Sequence, residues 1–272
     1  FGPSSILYPP RWFKNIIIIA AVTLSVVPGA IKYLGWSSSA TYHIEQNSKD
    51  LATIVSSEAV ISGPYAPVMT LENRLMNFIH MFGVSTPDPD FFKNHPVTHL
   101  LLDKSNLEIA TKDYPELMEQ AVTISKYRIG GRDVSLYRIA EFTGNPAASQ
   151  YKLSAYEAAM KAYLSQDMES GNRLIEIYDR KYPENMSGNL ILAQFSEESK
   201  MYAAAERFLK RAIDFSPTDF YLHFRLGEFY IKMYKLTGDL ALKSKAEKEF
   251  DTALVYNPES RRLIREIDEK LK

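Results

Sequence analysis

The chain has 272 residues, with 32 lysines and arginines against 33 aspartates and glutamates, a formal net charge of −1. Near neutrality without a basic stripe argues against nucleic-acid binding. The absence of cysteine excludes disulfides, thiolate metal sites and a cysteine nucleophile.

The first element is the run "NIIIIAAVTLSVVPGAI" (residues 15–31), which carries no charge and is flanked by Trp12, Lys14, Lys32 and Trp36. A bilayer core about 30 Å thick takes about 20 apolar helical residues, and tryptophan and lysine suit its two interfaces. A transmembrane helix over residues 15–35 is therefore expected. Two alternatives stay open: a signal peptide cut near Ser38-Ser39-Ala40, and a buried core helix. Arg11 and Lys14 precede the run and Lys32 follows it, which puts residues 1–14 on the cytoplasmic side. The bulk of the chain would then be extracytoplasmic, at the cell or inner membrane. Because the chain begins with Phe1 rather than Met, further sequence is expected upstream.

Residues 36–147 read as a small α/β domain. Apolar spacing predicts a helix over 42–56. "AVISGPYAP" reads as a short strand closed by Gly63-Pro64. A helix is predicted over 70–83, with Thr70 as N-cap and Gly83 as stop. "VTHLLLD" is a second buried strand, and a helix is expected over 114–121. The β-prone runs either side of Gly130-Gly131 predict a hairpin.

The strand-to-helix elbow Gly63, Tyr65 and Thr70 is a candidate anion or lipid-phosphate site, with a plain Gly/Pro turn as the alternative. Asp88-Pro89-Asp90 has a D-x-D spacing, and His95 with His99 could pair on a metal. Flanking prolines favour a turn capped by Asp90, and no third ligand stands near the histidines. No phosphate-loop, nucleophile-elbow or zinc-protease signature occurs. No catalytic, cofactor-binding or metal-ligating residue is expected in this chain, and no cofactor.

Residues 148–272 form a repeating helical region. Pro183, Pro217 and Pro258 each close a helical run, 34 and then 41 residues apart, the excess lying around "KLTGDLALKSK". Small residues (Ala159, Ala193, Gly227; Gly171, Ala205, Ala246) would let paired helices approach, and Ile175, Leu209 and Phe250 would fill the space between pairs. "SRRLIREIDEKLK" would close the array as a polar cap.

This pattern resembles the tetratricopeptide repeat (TPR) family, most fully at Leu226-Gly227, Tyr230, Ala246, Phe250, Ala253 and Pro258. The resemblance implies an all-α solenoid of about three helix pairs plus a capping helix. It also implies a concave groove that binds a protein or peptide. By position that groove would expose Tyr156, Met160, Tyr163, Gln194, Glu197, Tyr221, Phe224 and Glu228. The alternative is that Tyr156, Tyr163 and Phe224 pack between pairs.

The first 140 residues are similar to the C-terminal end of GT-C membrane glycosyltransferases of the protein-mannosyltransferase branch. The strings that carry this are "YPPRWF", "VISGPYAPVMTLENR", "HPVTHLLLD" and "VSLYRIA". The resemblance implies a multi-span enzyme using a polyprenyl-phosphate-linked sugar, with its acidic catalytic residues upstream of this chain. Two functions follow as expectations. One is the extracytoplasmic C-terminal region of such a transferase, with a TPR module for partner binding. The other is a single-span anchored TPR scaffold without activity.

Overall fold

The computed structural model describes residues 26–31, 43–84, 87–129, 132–257 and 261–271. The chain divides into two compact units, Phe1–Ala40 and Thr41–Lys272. In the first, residues 26–31 are helical and expose Val26, Val27 and Ile31. The expectation of a transmembrane helix over 15–35 is corrected here. No helix among the described residues is long and apolar enough to cross a membrane; residues 15–25 and 32–35 lie outside the described residues.

The second unit begins with α1 (Ile44–Ile54), then β1 (Val60–Ser62), α2 (Ala66–Met69), β2 (Met76–Phe78), α3 (Phe91–Asn94), β3 (His99–Asp103), α4 (Lys104–Asp113), α5 (Pro115–Gln120), β4 (Val122–Ile129) and β5 (Arg132–Arg138). The strands form one sheet in the order β2-β1-β3-β5-β4. The first three are mutually parallel, and the β4–β5 hairpin joins antiparallel through β5. β2 and β4 are therefore the two edges.

The helix expected over 70–83 is not formed, and side-chain chemistry explains why. Asn73 Nδ2 donates to Met69 O at 3.0 Å and Ser48 O at 2.8 Å, while its Oδ1 accepts from Leu75 N at 3.0 Å. An asparagine that bonds neighbouring backbone in this way competes with the helix. The chain turns and enters β2, leaving Leu71, Met76, Ile79, Met81 and Val84 exposed.

Each face of the sheet has its own core. On one face Leu100, Leu102 and Ile139 pack with Ala110 and Leu117 of α4 and α5. On the other, Ile61, Leu101, Ile124, Tyr127 and Leu136 pack with Leu51 and Ile54 of α1 and with Tyr156, Ile175 and Tyr178 from the helical region. A bulge between Thr123 and Ser125 shifts the side-chain alternation, so Ile124 and Tyr127 enter the same core although three residues apart.

The helical region holds three pairs and a closing helix: α6 (Ala155–Leu164) with α7 (Met168–Lys181), α8 (Ser187–Glu198) with α9 (Tyr202–Phe215), α10 (Phe220–Thr237) with α11 (Leu240–Tyr256), then α12 (Arg261–Leu271). Ala159, Ala193, Ala205 and Ala246 are fully buried where helices meet. At Gly227 an added Cβ would lie 2.5 Å from the Phe250 ring, so the α10–α11 approach admits no side chain there. Pro183 and Pro217 follow α7 and α9; Pro258 lies outside the described residues.

Helix α1 lies across the starts of the first helices of all three pairs. Ile54 O accepts from Ser154 Oγ, the N-cap of α6, at 2.6 Å. Asp50 accepts from Met186 N and Ser187 N, where α8 begins, at 2.7 and 2.9 Å. His43 Nε2 lies 3.6 Å from Asp219 Oδ2, the N-cap of α10. Helix N-termini carry unpaired N–H groups and partial positive charge, and α1 meets those of α8 with the Asp50 carboxyl. Burial pushes the Asp50 carboxyl above its usual range, against the bonds it accepts from Ser187, Met186 and Tyr127.

Candidate functional site

Strand β4 offers one side of a groove, because among the described residues its only strand partner is β5. The pair Ile129↔Arg132 closes the hairpin. Counting back by two, Tyr127 and Ser125 turn their backbone groups to β5, and Arg128 and Lys126 turn theirs away. Two carbonyls on that outer side already have partners: Tyr156 Oη donates to Ile124 O at 3.3 Å, and His43 Nε2 lies 2.9 Å from Arg128 O. Lys126 stands between them, with its side chain exposed.

The other side of the groove is built from the first helices of the three pairs. A cavity of about 570 Å³ lies between Thr123–Lys126 and Tyr156 and Met160 of α6, Ser187, Leu190, Ile191 and Gln194 of α8, and Tyr221 and Arg225 of α10. Its lining mixes apolar Ile124, Met160, Leu190 and Ile191 with polar residues, and the charged ones are Lys126 and Arg225, both cations. Arg225 is braced from behind by Glu228 at 2.8 Å and Glu197 at 3.9 Å. Arg128 stacks on Phe220 and Tyr221, 5.5 and 5.1 Å from the ring centroids, and so fixes the groove's far wall. Burial raises the Tyr221 hydroxyl above its usual range.

Of the eight groove residues expected from the repeat pattern, Tyr156, Met160, Gln194 and Tyr221 line this cavity. The other four stand elsewhere. Phe224 is buried against Phe250, with ring centroids 5.6 Å apart. Tyr163 stacks on Phe195 at 3.9 Å, and burial pushes its hydroxyl up to about 12. Glu197 pairs with Lys232 at 2.8 Å, and Glu228 with Lys270 at 2.5 Å. Lys126, Leu190, Ile191 and Arg225 were not singled out from the sequence. Helical spacing alone gives no sign that a sheet edge faces the array.

A second polar cluster sits where the carboxyl ends of β1 and β3 part, since β1 has β2 on one side and β3 on the other. Such a divergence is where ligands bind in open α/β sheets. Gly63 has φ +117°, and a Cβ there would lie 2.5 Å from Leu101 O, so the elbow requires glycine. Tyr65 Oη donates to Asp103 Oδ2 at 2.7 Å, and Arg132 reaches the same oxygen at 3.0 Å. Asp103 Oδ1 caps α4 by accepting from Asn106 N at 2.9 Å. Burial alone would raise this carboxyl, yet the bonds from Asn106, Tyr65 and Arg132 hold it well below the usual carboxylate range. With every acceptor position used, Asp103 anchors the loop rather than standing free for chemistry.

Thr70 does not join this elbow. It is buried, donating to Ala66 O at 2.9 Å and accepting from Asn77 Nδ2 at 2.8 Å. His99 lies in the interior, 2.9 Å from Glu157 Oε1 and 2.8 Å from Thr98 Oγ1. His95 stacks on Phe91 at 4.7 Å. The two histidines thus serve separate environments, and no metal-ligating cluster of three occurs among the described residues. Asp90 pairs with Lys93 at 2.8 Å but caps nothing with its side chain; Asp88 Oδ1 instead accepts from Asp90 N at 3.0 Å.

No protein-family model matches the chain, and the search of curated proteins finds no match. The tetratricopeptide and GT-C resemblances rest on the quoted residues alone.

Proposed function

We propose that this chain is a protein-interaction module whose groove between β4 and the first helices of the three pairs receives a segment of a partner protein. The observation that supports this is the convergence of Tyr156, Met160, Gln194 and Tyr221 with an open strand edge on one cavity of about 570 Å³. That volume lies inside the range of sites that enclose a ligand, about 300–1,000 Å³. Tyr221 beside Arg225 supplies the residue types that anchor interfaces, while Tyr156 is buried beneath them. If the GT-C resemblance holds for a longer parent protein, acceptor or partner recruitment is this chain's part in it, with the chemistry upstream.

The test is a photo-crosslinking amino acid placed at Gln194, which is exposed in the groove, and at Lys248, which is exposed on α11 outside it. The full chain is expressed in its own cells and irradiated. A discrete protein adduct at position 194 and none at 248 is expected. Adducts at both positions, or at neither, refute the groove.

A further inference from the structure

We infer that the groove selects an extended segment bearing a carboxylate, which adds to β4 at Lys126 and sets its acidic side chain between Lys126 and Arg225. This rests on the groove reading above and names the chemistry of its occupant.

Three observations converge on it. The first is the strand edge. The carbonyls of Ile124 and Arg128 are bonded by Tyr156 and His43, while Lys126, whose backbone groups the register turns away from β5, lines the cavity. A residue laid opposite it in extended conformation would exchange two backbone hydrogen bonds with Lys126. A helix has no free backbone groups to offer along its length, so this edge discriminates by conformation.

The second is charge. Lys126 makes no ion pair among the described residues, and the charged residues lining the cavity are both cationic. The acids nearest Arg225, Glu197 and Glu228, are committed to Lys232 and Lys270 as well. A carboxylate entering the groove meets two cations in a partly desolvated site, whereas an entering lysine meets like charge with no acid on the lining.

The third is the pattern of protection. Unpaired strand edges invite unwanted pairing, and proteins blunt them with bulges and side chains. Here the bulge, Tyr156 and His43 guard the edge on both sides of Lys126, and the position between them stays open. The guards limit pairing to one residue, so the occupant is fixed at one register.

The inference is tested with two biotinylated libraries of eight-residue peptides, randomised except for a central Glu in one and a central Lys in the other, incubated with the full chain. The Glu library is expected to retain at least tenfold more protein than the Lys library, and Lys126→Glu in the full chain to reverse that preference. The strongest peptide, N-methylated at the one backbone nitrogen that pairs with Lys126, is expected to bind at least tenfold more weakly. Lys126 is exposed on an edge strand, so the variant keeps its fold, and its circular dichroism checks this. Equal retention of the two libraries, or a preference unchanged by Lys126→Glu, overturns the carboxylate. An unaltered affinity after N-methylation overturns the strand pairing. If neither library binds while the Gln194 adduct forms, the extended acidic occupant is refuted and the groove stands; if the adduct also fails, both fall.

Discussion

Replacing Gly63 by alanine should loosen the sheet where its parallel strands part. The added Cβ would lie 2.5 Å from Leu101 O, while carbon and oxygen pack at about 3.3 Å or more. A gap of roughly 0.8 Å must therefore open between the end of β1 and β3. Holding a non-glycine residue at φ +117° adds about 1–3 kcal/mol of backbone strain. Moving the Leu101 carbonyl weakens the adjoining Ser62↔Leu100 pairing, about 1 kcal/mol for one hydrogen bond. The total is roughly 3 kcal/mol. Gly238→Ala is the control, because Gly238 also has positive φ, +73°, but nothing within 4 Å of a new Cβ, so only about 1 kcal/mol of strain applies. In urea unfolding followed by circular dichroism, with a slope of about 3 kcal/mol per molar, Gly63→Ala should lower the midpoint by about 1 M. Gly238→Ala should lower it by about a third of that. Equal shifts for the two variants would show that the Leu101 contact is not what demands glycine.

Phe250→Ala empties the space between α10 and α11, where the ring is 1% exposed, and should cost about 3–5 kcal/mol, read as a fall in Tm. Ser154→Ala removes both the α6 cap and the bond to Ile54 O, and should cost about 2 kcal/mol in urea unfolding. Asp103 and Glu157 are both held below their usual pKa against the opposing effect of burial, the first by Asn106, Tyr65 and Arg132, the second chiefly by His99. A depressed carboxyl stabilises the fold above its unfolded pKa, and that contribution is lost as pH falls toward the folded value. Stability measured by urea midpoint should thus decline below about pH 4, more gently in Asp103→Asn than in the parent.

The helical region was legible because its signals are local: proline follows α7 and α9, and each small residue in the pattern meets a neighbouring helix at short range. The hairpin was legible for the same reason, from two β-prone runs around a glycine pair. Two things were not. The failed helix over 70–83 had the right apolar spacing, and what overrode it was Asn73 bonding to Ser48, a partner 25 residues away. The groove was half legible because Tyr156, Met160, Gln194 and Tyr221 are what the TPR resemblance implies, whereas Lys126 enters only through the strand order that leaves β4 at an edge. Phe224, which the TPR resemblance places in the groove, is instead buried against Phe250.

The placement of α1 also matches it to the three helix pairs among the described residues. From His43 to Ile54 is eleven residues, about 16 Å of helix, and packed helices stand about 8–10 Å apart. Two such intervals carry the starts of α6, α8 and α10 past Ile54, Asp50 and His43 in turn. The helix is thus a gauge cut for three. A duplicated pair inserted into the array would find no matching position on α1. Growth of this array by one pair would require α1 to lengthen in the same step.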